Sequence, residues 1–379
     1  MPIVVAPATH FHPAIIVTED VFGDSTGTIS GHALAQSFQL RAEGIAVHGD
    51  ATTIAGAGSG GDDHFLVTGV DPAAATLVFG DAEHFVGRAH GGDDDIVTKK
   101  HAIAFGDAFD LTEHSIGGDD RIVVPSISPT NEIQAYGDGS RLEQCARGGD
   151  DCLYGNLLIG DAGRITDNGR GGDDHLFGRG DALLFGDAVV MKNNARGGDD
   201  RLIANDRFAT LIGDANEMSG RAVGGDDYLH SKAGDSSLYG DAQQLVGHAR
   251  AGNDVLSGSN GSDMLRGDAL FAIDQSRCGD DILLGGKGND FMYGDADSLA
   301  PTVTKGADRF VFAGQSGQDW IGDFQRGLDH LDVRAIGYTG FGQLTIDEAG
   351  GDSVVHCHGA NEVMVVGVTG LTASVFLFT

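Results

Sequence analysis

The stretch GGDDYLHSKAGDSSLYGDAQQLVGHARAGNDVLSGSNGSDMLRGDA, residues 224–269, decides the fold of this chain. It alternates Gly and Asp, which are depleted in strands, with Leu or Met at nearly fixed steps. An amphipathic helix would need apolar residues at a spacing of about 3.6 residues over roughly ten positions. This stretch lacks that pattern, so it predicts very short strands separated by tight turns.

Two aspartate series repeat in phase along most of the 379-residue chain. The GDA row is the Asp of each GDA or near-GDA tripeptide, namely Asp50, Asp81, Asp107, Asp138, Asp161, Asp187, Asp214, Asp241, Asp268 and Asp295. The GGDD row is the second acid of each GGDD-like turn, namely Asp63, Asp94, Asp120, Asp151, Asp174, Asp200, Asp227, Asp254, Asp281 and Asp308. The step from a GDA-row Asp to the next GGDD-row Asp has the same length in every copy. The rest of the repeat varies in length.

Each repeat also carries three apolar positions, as Phe65, Val78 and Phe85 do in one copy. A repeat that cannot bury its apolar residues alone must stack on its neighbours. We therefore predict an all-β fold, a right-handed parallel β-roll or β-helix solenoid of about ten coils with the 27-residue period seen from Asp187 onward. We favour a three-sided coil with this period over a shorter two-sided coil, because it keeps like residues stacked. Residues 1–44 and 306–379 are expected to cap the repeat of residues 45–305.

The charge balance limits the possible partners. Asp and Glu number 56 against 24 Lys and Arg, a formal net charge of −32, which argues against nucleic acid. Hydrophobic residues make up 41% of the chain, too many for a disordered acidic protein. No apolar run is long enough for stable membrane insertion, and the N-terminus lacks the basic region of a secretory signal peptide. A disulfide between Cys145 and Cys152 is conceivable, but we expect all four cysteines, including Cys278 and Cys357, to be unpaired.

Two stacked rows of carboxylates need a counterion, because like charges about 5 Å apart repel by roughly 1 kcal/mol per pair even in water. Calcium takes about six to eight oxygen ligands in a flexible arrangement, whereas magnesium demands a strict octahedron. Glycine turns allow successive backbone carbonyls to face an ion. The residue types therefore predict multiple bound calcium ions.

The segments GSNGSDMLR (258–266) and GGKGNDFMY (285–293) resemble the G-G-x-G-x-D-x-U-x nonapeptide of RTX (repeats-in-toxin) proteins, the calcium-binding parallel β-roll family. Residues 306–333 look like the capping segment of serralysin-type members. The final GLTASVFLFT looks like the signal that a type I secretion apparatus reads. The resemblance implies a protein that leaves a Gram-negative bacterium unfolded and folds on calcium in the extracellular medium.

By this resemblance, the calcium ligands are the nonapeptide aspartates and turn carbonyls. Asp254, Asp263, Asp281 and Asp290 match best, and the shortened GGDD form extends the match to the remaining members of the GGDD row. The GDA row departs from the family pattern, so its aspartates could bind calcium, cap a strand end or accept backbone N–H bonds. We include the regularly spaced members as candidate ligands, namely Asp187, Asp214, Asp241, Asp268 and Asp295.

A row of basic residues precedes the GGDD-like turns. Its candidate polysaccharide-binding members are Arg88, Arg147, Arg170, Arg196, Arg250 and Arg277. One interpretation is charge compensation, in which each Arg pairs with a neighbouring Asp. The other is a cationic stripe for an acidic polysaccharide, since Arg binds carboxylates in bidentate fashion.

The N-terminal repeats contain insertions rich in His, Lys and Tyr. The candidate catalytic residues are His84, His90, Lys99, Lys100, His101, His114 and Tyr136. Such groups suit a polysaccharide lyase, in which a cation neutralises the uronate, a base takes the C5 proton and an acid protonates the leaving oxygen. The alternative is that these are solvated loops with drifted turns.

Two functional hypotheses remain open from the sequence. The first is a secreted calcium-binding protein that associates with acidic extracellular polysaccharide. The second is a calcium-dependent polysaccharide lyase with its site on the irregular N-terminal coils. The sequence contains no zinc-protease helix and no long hydrophobic region before the repeats, which argues against a serralysin-like protease and a pore-forming toxin.

Overall fold

The computed structural model describes all residues except 1–2, 5–15, 18, 43, 70–74, 100–101, 125–134, 206–207, 233, 315 and 358–360. The chain divides into two compact units. Unit 1 comprises residues 1–179 and 183–200, and unit 2 comprises residues 180–182 and 201–379. Each unit is a parallel β-solenoid of three-sided coils, which confirms the predicted fold class and coil shape.

The strands of unit 1 form three sides, which we name by their place in the coil. Side a follows the GGDD-like turn and comprises Ile16–Val17, Ser37–Ala42, His64–Gly69, Asp95–Thr98, Arg121–Val123, Cys152–Ile159 and His175–Phe185. Side b precedes the GDA turn and comprises Ile3–Val4, Val21–Phe22, Ala46–His48, Thr76–Phe79, Ala102–Phe105 and Ala135–Tyr136. Side c follows the GDA turn and comprises Thr28–Ile29, Ala51–Gly56, Ala82–Gly87, Ala108–Leu111, Gly139–Leu142, Ala162–Ile165 and Ala188–Asn193.

Unit 2 repeats this arrangement and ends in a mixed cap. Side a comprises Arg201–Ala204, Tyr228–Ser231, Val255–Asn260, Ile282–Lys287, Arg309–Val311, His330–Asp332 and Phe376–Leu377. Side b comprises Ala209–Ile212, Ser237–Tyr239, Met264–Arg266, Phe291–Tyr293, Gln318–Ile321 and Glu362–Val365. Side c comprises Ala215–Gly220, Ala242–Leu245, Ala269–Ala272 and Ala296–Leu299. In the cap, Thr345–Ala349 and Asp352–His356 pair antiparallel, and three short 3₁₀ helices span Arg334–Ile336, Phe341–Gln343 and Ala373–Val375.

The three apolar positions of each repeat point inward from the three sides, as predicted. On side a of unit 1, Phe65 lies beside Ile96, and Ile96 beside Ile122, in register. Unit 2 has its own buried side-a row, which comprises Leu202, Leu229, Leu256, Leu283 and Phe310. Burying a Leu or Phe side chain contributes about 1.5–3 kcal/mol. Each coil therefore gains its stability from the coils stacked on it.

A side-chain hydrogen bond explains the constant step between the two aspartate rows. In every repeat, a carboxylate oxygen of the GDA-row Asp accepts from the backbone N–H of the second Gly of the following turn, 11 residues later. These N···O distances lie between 2.6 and 3.0 Å. Because the bond spans side c, an inserted residue would break it. We call this segment, from GDA-row Asp to GGDD-row Asp, the rigid arc.

The rest of each coil, the variable arc, changes length from copy to copy. It runs from Asp63 to Asp81 in one coil but only from Asp151 to Asp161 in another, which is little more than half as far along the chain. In the short case sides a and b fuse into the single strand Cys152–Ile159, with a register shift between Gly155 and Leu157. The side-chain hydrogen bond thus fixes the length of the rigid arc, whereas the length of the variable arc can change.

The expected capping segments contribute strands to the stack. Ser37–Ala42 pairs in parallel with His64–Gly69 in unit 1, and Arg309–Val311 pairs in parallel with Ile282–Lys287 in unit 2. The coil pattern therefore continues on both sides of residues 45–305.

Candidate metal sites and an exposed arginine row

The GDA row lies wholly inside the coils, with every one of its aspartates at 0% exposure. One oxygen of each carboxylate accepts the Gly N–H bond of the rigid arc. The second oxygen is buried and has no hydrogen-bond partner among the described residues in Asp50, Asp81, Asp107, Asp138, Asp161, Asp241 and Asp268. Of the three roles open for this row from the sequence, accepting backbone N–H bonds is the one observed directly. The remaining oxygen leaves room for a cation as well.

The GGDD row is also buried, and it bonds between coils. In unit 1, Asp94 Oδ1 accepts from the backbone N–H of Asp63 at 2.6 Å, and Asp120 Oδ1 from that of Asp94 at 2.7 Å. In unit 2, Asp281 Oδ1 accepts from the N–H of Asp254 at 2.7 Å. The other oxygen, Oδ2, is buried and finds no hydrogen-bond partner in the part of the chain that the structure describes, in Asp63, Asp94, Asp120, Asp151, Asp174, Asp254, Asp281 and Asp308.

Most of these Oδ2 atoms lie close to the carbonyl oxygen of a neighbouring coil, and both oxygens lie next to the Cα of the glycine in a GDA turn. A Cβ built on Gly80 would lie 1.6 Å from the carbonyl oxygen of Gly106 and 1.8 Å from Asp94 Oδ2. The same arrangement recurs at Gly240, with the carbonyl of Gly267 at 1.7 Å and Asp254 Oδ2 at 2.0 Å. Only glycine fits such a position, and the oxygens around it are the hard ligands that calcium prefers.

Burial raises the pKa of these carboxyl groups in the metal-free protein. The pKa of Asp63 is raised to about 9, chiefly by desolvation and then by the nearby charge of Asp50. Desolvation also raises the pKa of Asp50 and of Asp241 to about 7. Buried carboxylates that stay ionised must be paired with a cation, or they take up protons instead. The donor set and its electrostatics therefore fit calcium.

Two further acidic rows accompany the GDA and GGDD rows. The sequence identified Asp263 and Asp290 of the second row as calcium candidates, but it missed the first row and the continuation of the second to Asp319. The first acids of the GGDD-like turns are exposed, and they accept from backbone N–H groups of the next coil, as Asp93 does from Asp119 at 3.1 Å. In unit 2, Asp263 accepts from the N–H of Ser236, and Asp290 from that of Asp263. Asp319 continues this row in the predicted cap, where it accepts from the N–H of Asp290 at 3.1 Å. The segment GQDWI (317–321) keeps the Gly-x-Asp-x-apolar spacing of the nonapeptide, and this signal could have identified Asp319 from the sequence.

The predicted arginine row is an exposed ladder. In unit 1 it runs through isolated parallel bridges from His90 by way of Ile116 to Arg147, Arg170 and Arg196, and in unit 2 Arg250 bridges to Arg277. No guanidinium of these five arginines, nor that of Arg88, makes an ion pair or side-chain hydrogen bond among the residues the structure describes. Charge compensation by direct pairing, one of the two interpretations, is thus not what the arginines do.

A surface groove of about 560 Å³ lies beside this ladder in unit 1. It is lined by Arg88, His90, His114, Ile116, Cys145, Arg147, Asn168 and Arg170. Three of these side chains are permanently cationic, and the described residues that line the groove include no acidic side chain. The groove therefore suits an anionic ligand.

The candidate catalytic residues fall in different places. His90 and His114 share the groove. His84 lies on side c with its Nδ1 3.3 Å from a carboxylate oxygen of Asp110. Tyr136 stacks on Phe105 of side b at 4.8 Å between ring centroids. Exposed Lys99 follows side a, and Lys100 and His101 lie outside the described residues.

All four cysteines are free, as expected. One of them, Cys278, lies in unit 2 with Asp268 and Asp295, and single ligand atoms of the three residues lie within 4.8 Å of one another. Burial and the charges of Asp268 and Asp295 raise the pKa of the Cys278 thiol well above its usual value. Among the described residues, no helix is long and apolar enough to cross a membrane.

No protein-family model matches this chain, and no curated protein matches it. Among solved structures, the chain is similar to the extracellular lipase LipA from Serratia marcescens, with 15% sequence identity and a TM-score of 0.24. The match covers 71% of this chain and 46% of the lipase chain, so this chain spans about half the length of that lipase.

Proposed function

We propose that this protein is a calcium-folded RTX-type β-solenoid of the cell exterior that associates with acidic polysaccharide. The observation that carries the calcium part is that most carboxylates of both rows hold one buried oxygen with no hydrogen-bond partner among the described residues. In the GGDD row these oxygens converge with glycine carbonyls, as Asp94 Oδ2 does with the carbonyl of Gly106. The RTX resemblance of residues 258–266 and 285–293, and of the final GLTASVFLFT, supports calcium binding and export by a type I apparatus.

The proposed calcium ligands are the side chains of the GGDD row and of Asp263 and Asp290, together with the carbonyls of the GDA-turn glycines. The regularly spaced GDA-row members Asp187, Asp214 and Asp241 are proposed as further calcium ligands. The remaining two sequence candidates, Asp268 and Asp295, lie beside Cys278 and are assigned to a different cation below. Calcium supplies the positive charge that lets these buried carboxylates stay ionised. Because binding favours only the folded state, each ion adds stability by linkage, about 1.4 kcal/mol at ten times its Kd.

Circular dichroism of the full chain at neutral pH, with and without chelator, tests the calcium part. We expect the β signal to appear only with calcium, and Asp94→Asn to raise the calcium midpoint severalfold. Its matched control is Asp93→Asn, which changes the exposed neighbour in the same turn and should leave the midpoint nearly unchanged. Equal β content with and without calcium would overturn the proposal.

The observation that carries the polysaccharide part is the exposed arginine ladder beside the cationic groove. Parallel coils lie about 4.8 Å apart, so the ladder offers guanidinium groups at a regular spacing. Arg147 and Arg170, which face the groove, are free to bind carboxylates in bidentate fashion. A polymer with a carboxylate on each sugar matches such a periodic surface.

A binding titration with polygalacturonate, at fixed calcium and several salt concentrations, tests this part. We expect the double variant Arg147→Ala/Arg170→Ala to weaken binding about tenfold or more, because each lost charged hydrogen bond is worth roughly 1.5–3 kcal/mol. The control Arg164→Ala/Arg179→Ala removes the same charge from exposed positions outside the groove. Equal losses in both variants would mean that only net charge matters.

A second candidate function, a polysaccharide lyase, is favoured by the shared groove of His90 and His114. There Arg88 would neutralise the uronate while one histidine takes the C5 proton and the other protonates the leaving oxygen. Ultraviolet absorbance of the unsaturated product measures this activity. We expect His114→Ala to abolish any activity found and the exposed control His175→Ala to retain it. No absorbance rise on any uronate polymer would exclude the lyase.

A further inference from the structure

One position of the GGDD-like turn changes identity along unit 2. The first glycine of the turn, Gly224 in the first full coil of unit 2, is replaced by Ala251, Cys278 and Lys305 in the following coils. A Cβ built on Gly224 would point between two consecutive GDA-row carboxylates, 2.2 Å from Asp214 Oδ2 and 2.2 Å from Asp241 Oδ1. A side chain at this position is therefore aimed between two buried carboxylates.

Cys278 places a sulfur in that position. Its Sγ and one oxygen each from Asp268 and Asp295 lie within 4.8 Å of one another. Both aspartates are at 0% exposure, and Asp268 Oδ2 has no hydrogen-bond partner among the described residues. Asp268 Oδ1 accepts from the N–H of Gly279 at 2.6 Å, so Oδ2 is the atom available for a ligand.

A fourth polar group adjoins this cluster. The Gln325 side-chain amide donates to Asp295 Oδ2, and its own carbonyl oxygen, Oε1, is buried without a hydrogen-bond partner among the residues described. Lys305, at the same turn position one coil later, places a positive charge beside Asp295. The surroundings thus offset part of the negative charge of two carboxylates and a thiolate.

We propose that Asp268, Cys278 and Asp295 form a zinc site, with Gln325 Oε1 or water in the fourth position. Zinc binds thiolate and carboxylate ligands in four-coordinate tetrahedral sites, whereas calcium takes oxygen ligands only. The thiolate sets this coil apart from the calcium coils. The proton of the thiol leaves to solvent when the metal binds. This site does not depend on the polysaccharide function.

Cobalt(II) is the probe, because a thiolate bound to cobalt gives a charge-transfer band in the near ultraviolet. The full chain, reduced and saturated with calcium, is titrated with cobalt(II). We expect one equivalent to produce the band and zinc to remove it. Asp268→Asn should weaken cobalt binding at least tenfold while the thiol remains.

The central variant is Cys278→Ala, which should fold because Ala251 holds the same position one coil earlier. We expect it to lose the band and to keep the calcium-dependent circular dichroism, so failure of the zinc site is distinguishable from failure of calcium folding. The control Cys145→Ala removes another free cysteine and should keep the band. Absence of a band in the unaltered chain, or a band that survives Cys278→Ala, would overturn the proposal.

Discussion

The rigid and variable arcs of each coil differ in what holds them. In the rigid arc, a carboxylate oxygen of Asp241 accepts from the N–H of Gly252 across side c at 2.7 Å, and this arc has the same length in every repeat. The variable arc shows no such recurring bond among its described residues, and it is almost twice as long after Asp63 as after Asp151. Both arcs contribute paired strands, so strand pairing alone does not fix the length of an arc. The side-chain hydrogen bond to the backbone therefore explains why only the rigid arc has a constant length.

The largest expected effect concerns the carboxylates that the rigid arc connects. Their pKa values in the metal-free fold are raised from 3.8, to about 6 in Asp138, 7 in Asp50 and 9 in Asp63. A raised folded pKa gives stability that is fully present below about pH 4 and is lost as pH rises through about 6 to 9. We therefore expect acid to replace calcium and chelated protein to gain β structure near pH 4–5.

Circular dichroism in chelator from pH 8 to pH 4 checks this. Buried His48 works in the opposite direction, because burial lowers its pKa from 6.5 to about 4, so that acid destabilises its folded form. His48→Phe should therefore strengthen the acid-induced folding, since the new ring can stack between Phe22 and Phe79 as the imidazole does. Chelated protein that loses β structure on acidification would contradict the prediction.

A single-residue insertion tests the two arcs directly. One Ala inserted after His248 separates Asp241 from Gly252 and turns the following inward residues outward, so we expect a loss of at least about 3 kcal/mol. One Ala inserted after exposed Lys232, in the variable arc of the preceding segment, should cost about 1 kcal/mol or less, because loop entropy changes slowly with length. Urea unfolding of the calcium-loaded chain measures both, and similar losses would refute the distinction.

Glycine substitutions should show the same contrast on a smaller scale. A Cβ on Gly172, in the GGDD-like turn, would lie 1.8 Å from the carbonyl oxygen of Gly149, so Gly172→Ala must displace backbone and should cost about 3 kcal/mol. Gly180 lies in a variable arc with φ of 69° and nothing within 4 Å of a built Cβ. Gly180→Ala should cost only about 1 kcal/mol, the strain of a left-handed residue. Urea midpoints compare the two variants, and a larger loss in Gly180→Ala would contradict the assignment of the arcs.

Much of the architecture could be predicted from local pattern. The constant step between the aspartate rows, the three apolar positions and the Gly/Asp turns repeat in the sequence itself, and stacking follows because one coil cannot bury its own apolar side. For the same reason the residues that line the interior, such as Phe65 and Leu256, were identified correctly. Insertions occur only in the variable arc, so the alignment of equivalent positions between repeats could still be read from the sequence.

The chemistry of individual side chains was harder to predict, because it depends on contacts between coils. The sequence does not show whether Arg147 and Arg170 pair with neighbouring aspartates. Several aspartates of adjacent repeats are at similar distances along the chain, and exposed side chains can reach more than one of them. The alternative lyase hypothesis required candidates such as His84, His90, His114 and Tyr136 to converge on one face. Of the candidates that the structure describes, only His90 and His114 share one groove, and Tyr136 stacks in an aromatic row.

The sequence by itself determined the period, the parallel solenoid and the oxygen-rich interior that suits calcium. Those properties follow from residue types that recur at the same position of every repeat. When the coils stack, equivalent residues of successive repeats form a row. Only the tertiary structure decided which carboxylate oxygen bonds to backbone and which is left for a cation, and that Cys278 is aimed between Asp268 and Asp295. These outcomes depend on the inward direction of side chains in a closed coil, which residue spacing alone does not specify.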